Sequence, residues 1–99
     1  MNSVDKQIFE GYKKKLVDNF YALLCARENK ENWERFLDSI LLELAGQEPY
    51  INSINYWKIR AKAGTLKYLS FFYFRATIFE CISLLKGLTA IEGDEDELS

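Results

Sequence analysis

One proline and five scattered glycines are all that punctuate 99 residues. Small all-β proteins need many tight turns, and such turns draw on Gly and Pro. This chain has to form a few long elements instead. Its apolar residues recur at spacings of three and four, the signature of amphipathic helices.

Between Val4 and Glu28, the residues Ile8, Phe9, Tyr12, Leu16, Val17, Phe20, Leu23 and Leu24 fall within about half of a helix circumference. Asn2 or Ser3 suits the start of this helix and Asn29 the stop. Lys13, Lys14 and Lys15 cross it as a solvated face whose stems cover apolar surface. A second helix is expected from Asn32 to Ala45, with Asn32 as N-cap and Gly46 just past the end. Trp33, Phe36, Leu37, Ile40, Leu41 and Leu44 share its apolar face. The short connection between the two predicts an antiparallel helical hairpin over 4–45.

Pro49 makes the clearest break, because it drives Glu48 out of the helical region. Beyond it, Tyr50, Ile51, Ile54, Trp57 and Ala61 give the apolar stripe of a third helix, expected from Ser53 to Ala63. Residues 65–87 read either as one helix or as a turn followed by a helix from Ser70. The run Phe71-Phe72-Tyr73-Phe74 favours a strand by propensity. However, Phe71, Phe74, Ile78, Ile82 and Leu85 align on one helical face, and length and periodicity outweigh the local preference. Gly87 is the expected stop. The fold class is therefore all-α: a bundle of four helices, or five if 65–69 forms a separate turn. Residues 1–91 make one domain and 92–99 an acidic tail.

With 48% hydrophobic and 15% aromatic residues, the chain can build a core without disulfides or metals. Cys25 and Cys81 sit in apolar surroundings and read as free thiols of a reducing compartment. No stretch approaches the roughly 18 apolar residues of a membrane span, and no leader pattern opens the chain. These features predict a cytoplasmic protein with no membrane partner.

Charge is unevenly distributed. Residues 1–49 carry a net −2, residues 50–91 a net +5 and residues 92–99 a net −5. The chain has no His, which removes the commonest general base and metal ligand. Two distant cysteines make no zinc site, and no glycine-rich phosphate loop occurs. Neither an enzyme nor a cofactor or metal is expected, and no residue is assigned a catalytic role.

The segment with most to offer a partner is 56–68. It gathers Tyr56, Trp57, Lys58, Arg60, Lys62, Lys67 and Tyr68 with no acid among them. Aromatic and basic side chains together suit an acidic protein surface or, less well at this small charge, a nucleic acid. Arg75 falls close to the apolar face of the last helix, where a charge needs a buried partner such as Asp18, Asp38 or Glu43. A ligand pocket beside Arg75 is a third reading. Apolar residues outside the main faces, Tyr21, Leu42 and Tyr73 among them, suit a partner or self-association as a twofold homodimer. The expectation is a non-enzymatic adaptor, regulator or inhibitor acting through protein–protein contact. Small intracellular regulators and mobile-element inhibitors share this short, acidic, helical profile.

Overall fold

A computed structural model describes residues 3–26, 30–47 and 54–88 of the chain. Four helices follow in order: α1 Ser3–Ala26, α2 Lys30–Gln47, α3 Ile54–Thr65 and α4 Phe71–Lys86. A single 3-10 turn, Leu66–Tyr68, lies between α3 and α4. No strand occurs among the described residues. The protein is a small all-α bundle.

Each helix buries one stripe. Phe9, Leu16, Phe20 and Leu23 come from α1, and Trp33, Leu37, Ile40 and Leu44 from α2. Tyr56, Ile59 and Ala63 come from α3, extended by Leu66, and Phe74, Ile78, Cys81, Ile82 and Leu85 from α4. These residues form one core, across which the rings of Trp33 and Phe74 meet edge to face at 5.4 Å. No polar or charged residue is buried among the described residues. The driving force is apolar burial at about 25 cal/mol per Å².

The packing order follows from specific contacts. Only residues 27–29 separate α1 from α2, and the two pack together. Lys15 reaches back from α1 to pair with Glu43 near the end of α2, as an antiparallel hairpin requires. As α1 advances from Lys13 to Tyr21, its contacts on the last helix retreat from the Lys86 carbonyl to the Phe79 ring. That pair is antiparallel too. So are α3 and α4, with Asn55 beside Gly87 and Lys62 beside Glu80. Each of the three lysines expected on a solvated face has an anchor. Lys13 donates to the Leu88 carbonyl at 3.2 Å, Lys14 bonds Asp18 at 2.9 Å, and Lys15 pairs with Glu43. Lys13 thereby serves carbonyls at the end of α4 that lack donors within the helix.

Several sequence expectations change. Asn32 lies inside α2, which starts at Lys30, and Gly46 lies inside it before its end at Gln47. Helix packing outweighs a single cap or glycine preference. Asn29, Pro49, Ser53 and the acidic tail fall outside the described residues. For 65–87 the turn-plus-helix alternative holds. Leu69 and Ser70 are extended at ψ 147° and 162°, and the Ser70 carbonyl accepts from Phe74 N–H at 2.8 Å to open α4. Gly87 does follow the last turn, but in right-handed geometry at φ −87°. The helix closes through Gly87 N–H and Leu88 N–H to the carbonyls of Leu84 and Leu85. This is the tightened final turn that uses up orphan carbonyls.

The largest correction concerns α3. Ile54, Trp57 and Ala61, read from spacing as the apolar stripe of this helix, are all exposed, as the place of Trp57 among the contact residues requires. The stripe Tyr56–Ile59–Ala63–Leu66 is buried instead. Phe71 is likewise 54% exposed although its helical angle fits the core face, because it opens α4 and overhangs the bundle. By the register set by Tyr21 and Phe79, α1 ends level with Phe74.

Candidate protein-binding surface

The segment 56–68 divides between two faces of α3. Tyr56 was expected to be a contact residue, but it is fully buried. Its hydroxyl donates to the Leu44 carbonyl at 2.6 Å, tying α3 to the end of α2. A buried tyrosine that finds an acceptor is a structural anchor, so Tyr56 leaves the list of contact residues. The other six assigned residues all reach solvent, to different degrees.

On the outer side of α3, Ile54 is 74% exposed and Trp57 51% exposed. Lys58, Ala61 and Gly64 are exposed beside them. Ile54, Trp57, Ala61 and Gly64 repeat at intervals of three, four and three, the spacing of a seam between helices. The Arg60 guanidinium lies 5.5 Å from the Trp57 ring centroid, within range of a cation–π contact. Trp57 itself meets the Tyr56 ring edge to face at 5.2 Å. The tryptophan is thus held in place by a ring beneath it and a guanidinium alongside. It stands between two cations, Lys58 and Arg60, on a helix that contains no acid.

Lys62 faces another way. Its ammonium lies 2.6 Å from the Glu80 carboxylate. The hydrogen bond to Glu80, then the charge of Glu80, raises its pKa above 10.5. Lys62 joins α3 to α4 and contributes little free charge to a partner. Lys67 and Tyr68 are exposed in the 3-10 turn, Tyr68 at 83%.

Arg75 does not form the expected buried ion pair. It is exposed, with its guanidinium 5.8 Å from the Phe79 ring. At 100° per residue it stands roughly 75° from the middle of the buried set, outside the arc that the core occupies. Of the expected partners, Asp18 bonds Lys14 and Glu43 pairs with Lys15. A cleft lies between α1 and α2, lined by Lys15, Asn19, Arg35, Phe36, Ser39 and Glu43.

Around Arg75 the surface is aromatic. Phe72 is 75% exposed, Tyr73 62% and Phe79 42%. Tyr21 of α1 meets Phe79 edge to face at 6.4 Å, and Phe72 meets Tyr73 at 5.4 Å. Sequence reasoning missed Ile54 and Phe71 because it placed both in apolar stripes, and it assigned Phe72 and Phe79 no contact role. A signal existed for α3. Tyr56–Ile59–Ala63–Leu66 repeats with the same intervals as the outer stripe and continues into a bulky residue where the outer stripe ends on Gly64.

Among the described residues no three metal-ligating side chains converge. Both cysteines are free, Cys25 exposed and Cys81 buried. Burial pushes the Cys81 thiol up to about 12, so it is no nucleophile at neutral pH. In comparisons with protein-family models, curated proteins and solved structures, the chain matches none.

Proposed function

We propose that this chain is a non-enzymatic protein-binding module, an adaptor, regulator or inhibitor, that engages an acidic protein surface through the outer face of α3. The observation that carries the reading is the exposed stripe Ile54–Trp57–Ala61, flanked by Lys58 and Arg60. Trp and Arg are the residue types that dominate interface energies. An apolar stripe at helical spacing is what one helix presents to a groove or to another helix. The basic flanks select for acidic partners and speed encounter. Two unbridged cysteines support a reducing compartment such as the cytoplasm. Nucleic acid is the weaker reading. With Lys62 held by Glu80, Lys58, Arg60 and Lys67 are few cations to track a phosphate backbone.

The test is a photo-crosslinking residue at position 57, compared with one at exposed Gln7, in the native host. The expected result is a discrete protein adduct at 57 only, abolished by Lys58→Glu with Arg60→Glu. Adducts to nucleic acid, equal yields at both positions, or no adduct at 57 would each overturn the reading.

A further inference from the structure

Residues 92–99 hold five acids and no base, a net −5, whereas residues 50–91 hold a net +5. The place where the chain leaves the bundle toward those acids is set by α4. That helix closes at Gly87 and Leu88, whose N–H groups bond the carbonyls of Leu84 and Leu85. The Asn55 side chain lies 3.7 Å from where a Cβ on Gly87 would stand. Asn55 is the second residue of α3, so the chain departs beside the start of that helix. We propose that the acidic segment 92–99 folds back along α3 and covers Lys58 and Trp57, closing the protein-binding surface until an acidic partner displaces it. The proposal rests on the reading of α3 given above and names its regulation.

Helix geometry supplies the position. At 100° per residue, Asn55, Lys58 and Lys62 fall on one flank of α3. That flank is the one toward α4, since Asn55 meets Gly87 and Lys62 pairs with Glu80. Lys58 stands between them, one turn or about 4.5 Å along the axis from Asn55. Trp57 is next to it on the outer face. An extended chain covers about 3.3 Å per residue, so the four steps from Leu88 to Glu92 span up to about 13 Å. That clears a helix about 10 Å across and brings the first acid to the level of Lys58.

Charge singles out the same lysine. On α1, Lys13 pairs with Glu10 at 3.3 Å, Lys14 with Asp18 at 2.9 Å and Lys15 with Glu43. Those three lysines therefore offer an acidic segment little net attraction. On α3, Lys62 is held by Glu80. Lys58 is exposed and meets no carboxylate among the described residues, on a helix that contains no acid. One exposed ion pair holds weakly. Here several acids sit on a short tether, which gives an effective concentration in the millimolar range. Such a contact stays closed in the free chain. It yields to an acidic partner that also fills the apolar stripe of Ile54 and Trp57.

Zero-length carbodiimide coupling of the full chain, read by peptide mapping, tests this contact. The reagent joins an amine to a carboxylate that touches it, and Lys62–Glu80 at 2.6 Å is the internal control. The expected result is an amide between Lys58 and an acid of 92–97, at a yield independent of protein concentration. The yield should fall about threefold or more in 1 M salt, where charges are screened beyond about 3 Å. A control pair that couples while Lys58 does not overturns the proposal. So do links from the acidic segment spread evenly over the exposed lysines, or a yield that falls on dilution, which places the segment on another copy. None of these readouts needs a partner, so they stand apart from the test of the α3 surface.

The regulatory step is read with the photo-crosslinking residue at position 57 in the native host. Asp94→Asn, Glu95→Gln, Asp96→Asn and Glu97→Gln, introduced together in the full chain, should raise the adduct yield about threefold or more. An adduct of unchanged yield overturns the closure and leaves the α3 reading standing. No adduct in either form overturns the α3 reading, and the regulation with it.

Discussion

Replacing Tyr56 and Trp57 by serine, one at a time, tests which face of α3 points inward. Tyr56 is fully buried and its hydroxyl bonds the Leu44 carbonyl at 2.6 Å. Burying about 200 Å² of ring at about 25 cal/mol per Å² gives at most ~5 kcal/mol. Truncations of buried aromatics cost about 3–5 kcal/mol. Losing the donor to Leu44 adds about 1 kcal/mol. Tyr56→Ser should therefore cost about 5 kcal/mol, a large part of the ~5–15 kcal/mol that holds an ordinary domain together. Trp57, half exposed, gives up an edge contact with Tyr56 at 5.2 Å and the Arg60 guanidinium at 5.5 Å. Those contacts are worth about 1–2 kcal/mol together.

The assay is urea unfolding followed by far-UV circular dichroism, with the denaturant slope checked for constancy. Tyr56→Phe keeps the ring and removes only the hydroxyl. It should cost about 1 kcal/mol, or about 4–8 °C in melting temperature at this size, and it gives a reading if Tyr56→Ser does not fold. A Trp57→Ser variant that loses as much stability as Tyr56→Ser, or a Tyr56→Phe variant as stable as wild type, would refute the phase assigned to α3.

Three further outcomes follow from the same geometry. In the native protein one thiol, Cys25, should react rapidly with a disulfide reagent at mildly alkaline pH, and Cys81 only after unfolding; two fast equivalents would contradict the burial of Cys81. Stability should fall as pH rises above about 9, because Cys81 (9.0 unfolded, about 12 folded), Lys15 and Lys62 (both above 10.5 when folded) hold their protons more tightly in the native state. Melts of wild type beside Cys81→Ala and Lys62→Met check this, each variant flattening the alkaline slope. Gly11→Ala in the middle of α1, where an added Cβ meets nothing within 4 Å, should stabilise by about 0.5–1 kcal/mol in the same melts.

The hairpin was legible because α1 and α2 each carry one dominant stripe, and Leu16, Phe20, Leu37 and Leu44 have no rival set to exchange places with. On α3 two stripes share the same intervals, so periodicity gives the element but not its rotation. Only the position of Leu66 beyond the helix end favours the correct choice. For α4, spacing placed Ile78, Ile82 and Leu85 correctly. It could not show that Phe71 stands past the level where α1 ends, since that depends on the register between helices far apart in sequence. The same holds for Lys62 with Glu80, Tyr56 with Leu44, and Lys13 with Leu88. Each joins two elements whose mutual offset no local pattern records. Arg75 was misplaced for a related reason: moving the centre of the buried arc toward Cys81 turns a near-core position into a surface one.

That two helices carry apolar stripes on opposite sides has a consequence for how substitutions divide. On an ordinary surface helix the outer face is polar, and changes there alter neither stability nor binding by much. Here the inner stripes of α3 and α4 supply the core, so losses at Tyr56, Ile59, Phe74 or Ile78 lower stability and reduce binding only through the folded fraction. The outer stripes add little to the isolated fold. Trp57 should therefore tolerate polar replacement in the melt and lose association in the binding assay. On the reading proposed for α3, Lys58 and Arg60 draw an acidic partner whose binding weakens as salt rises, so a salt series on wild type and Trp57→Ser tests that face directly.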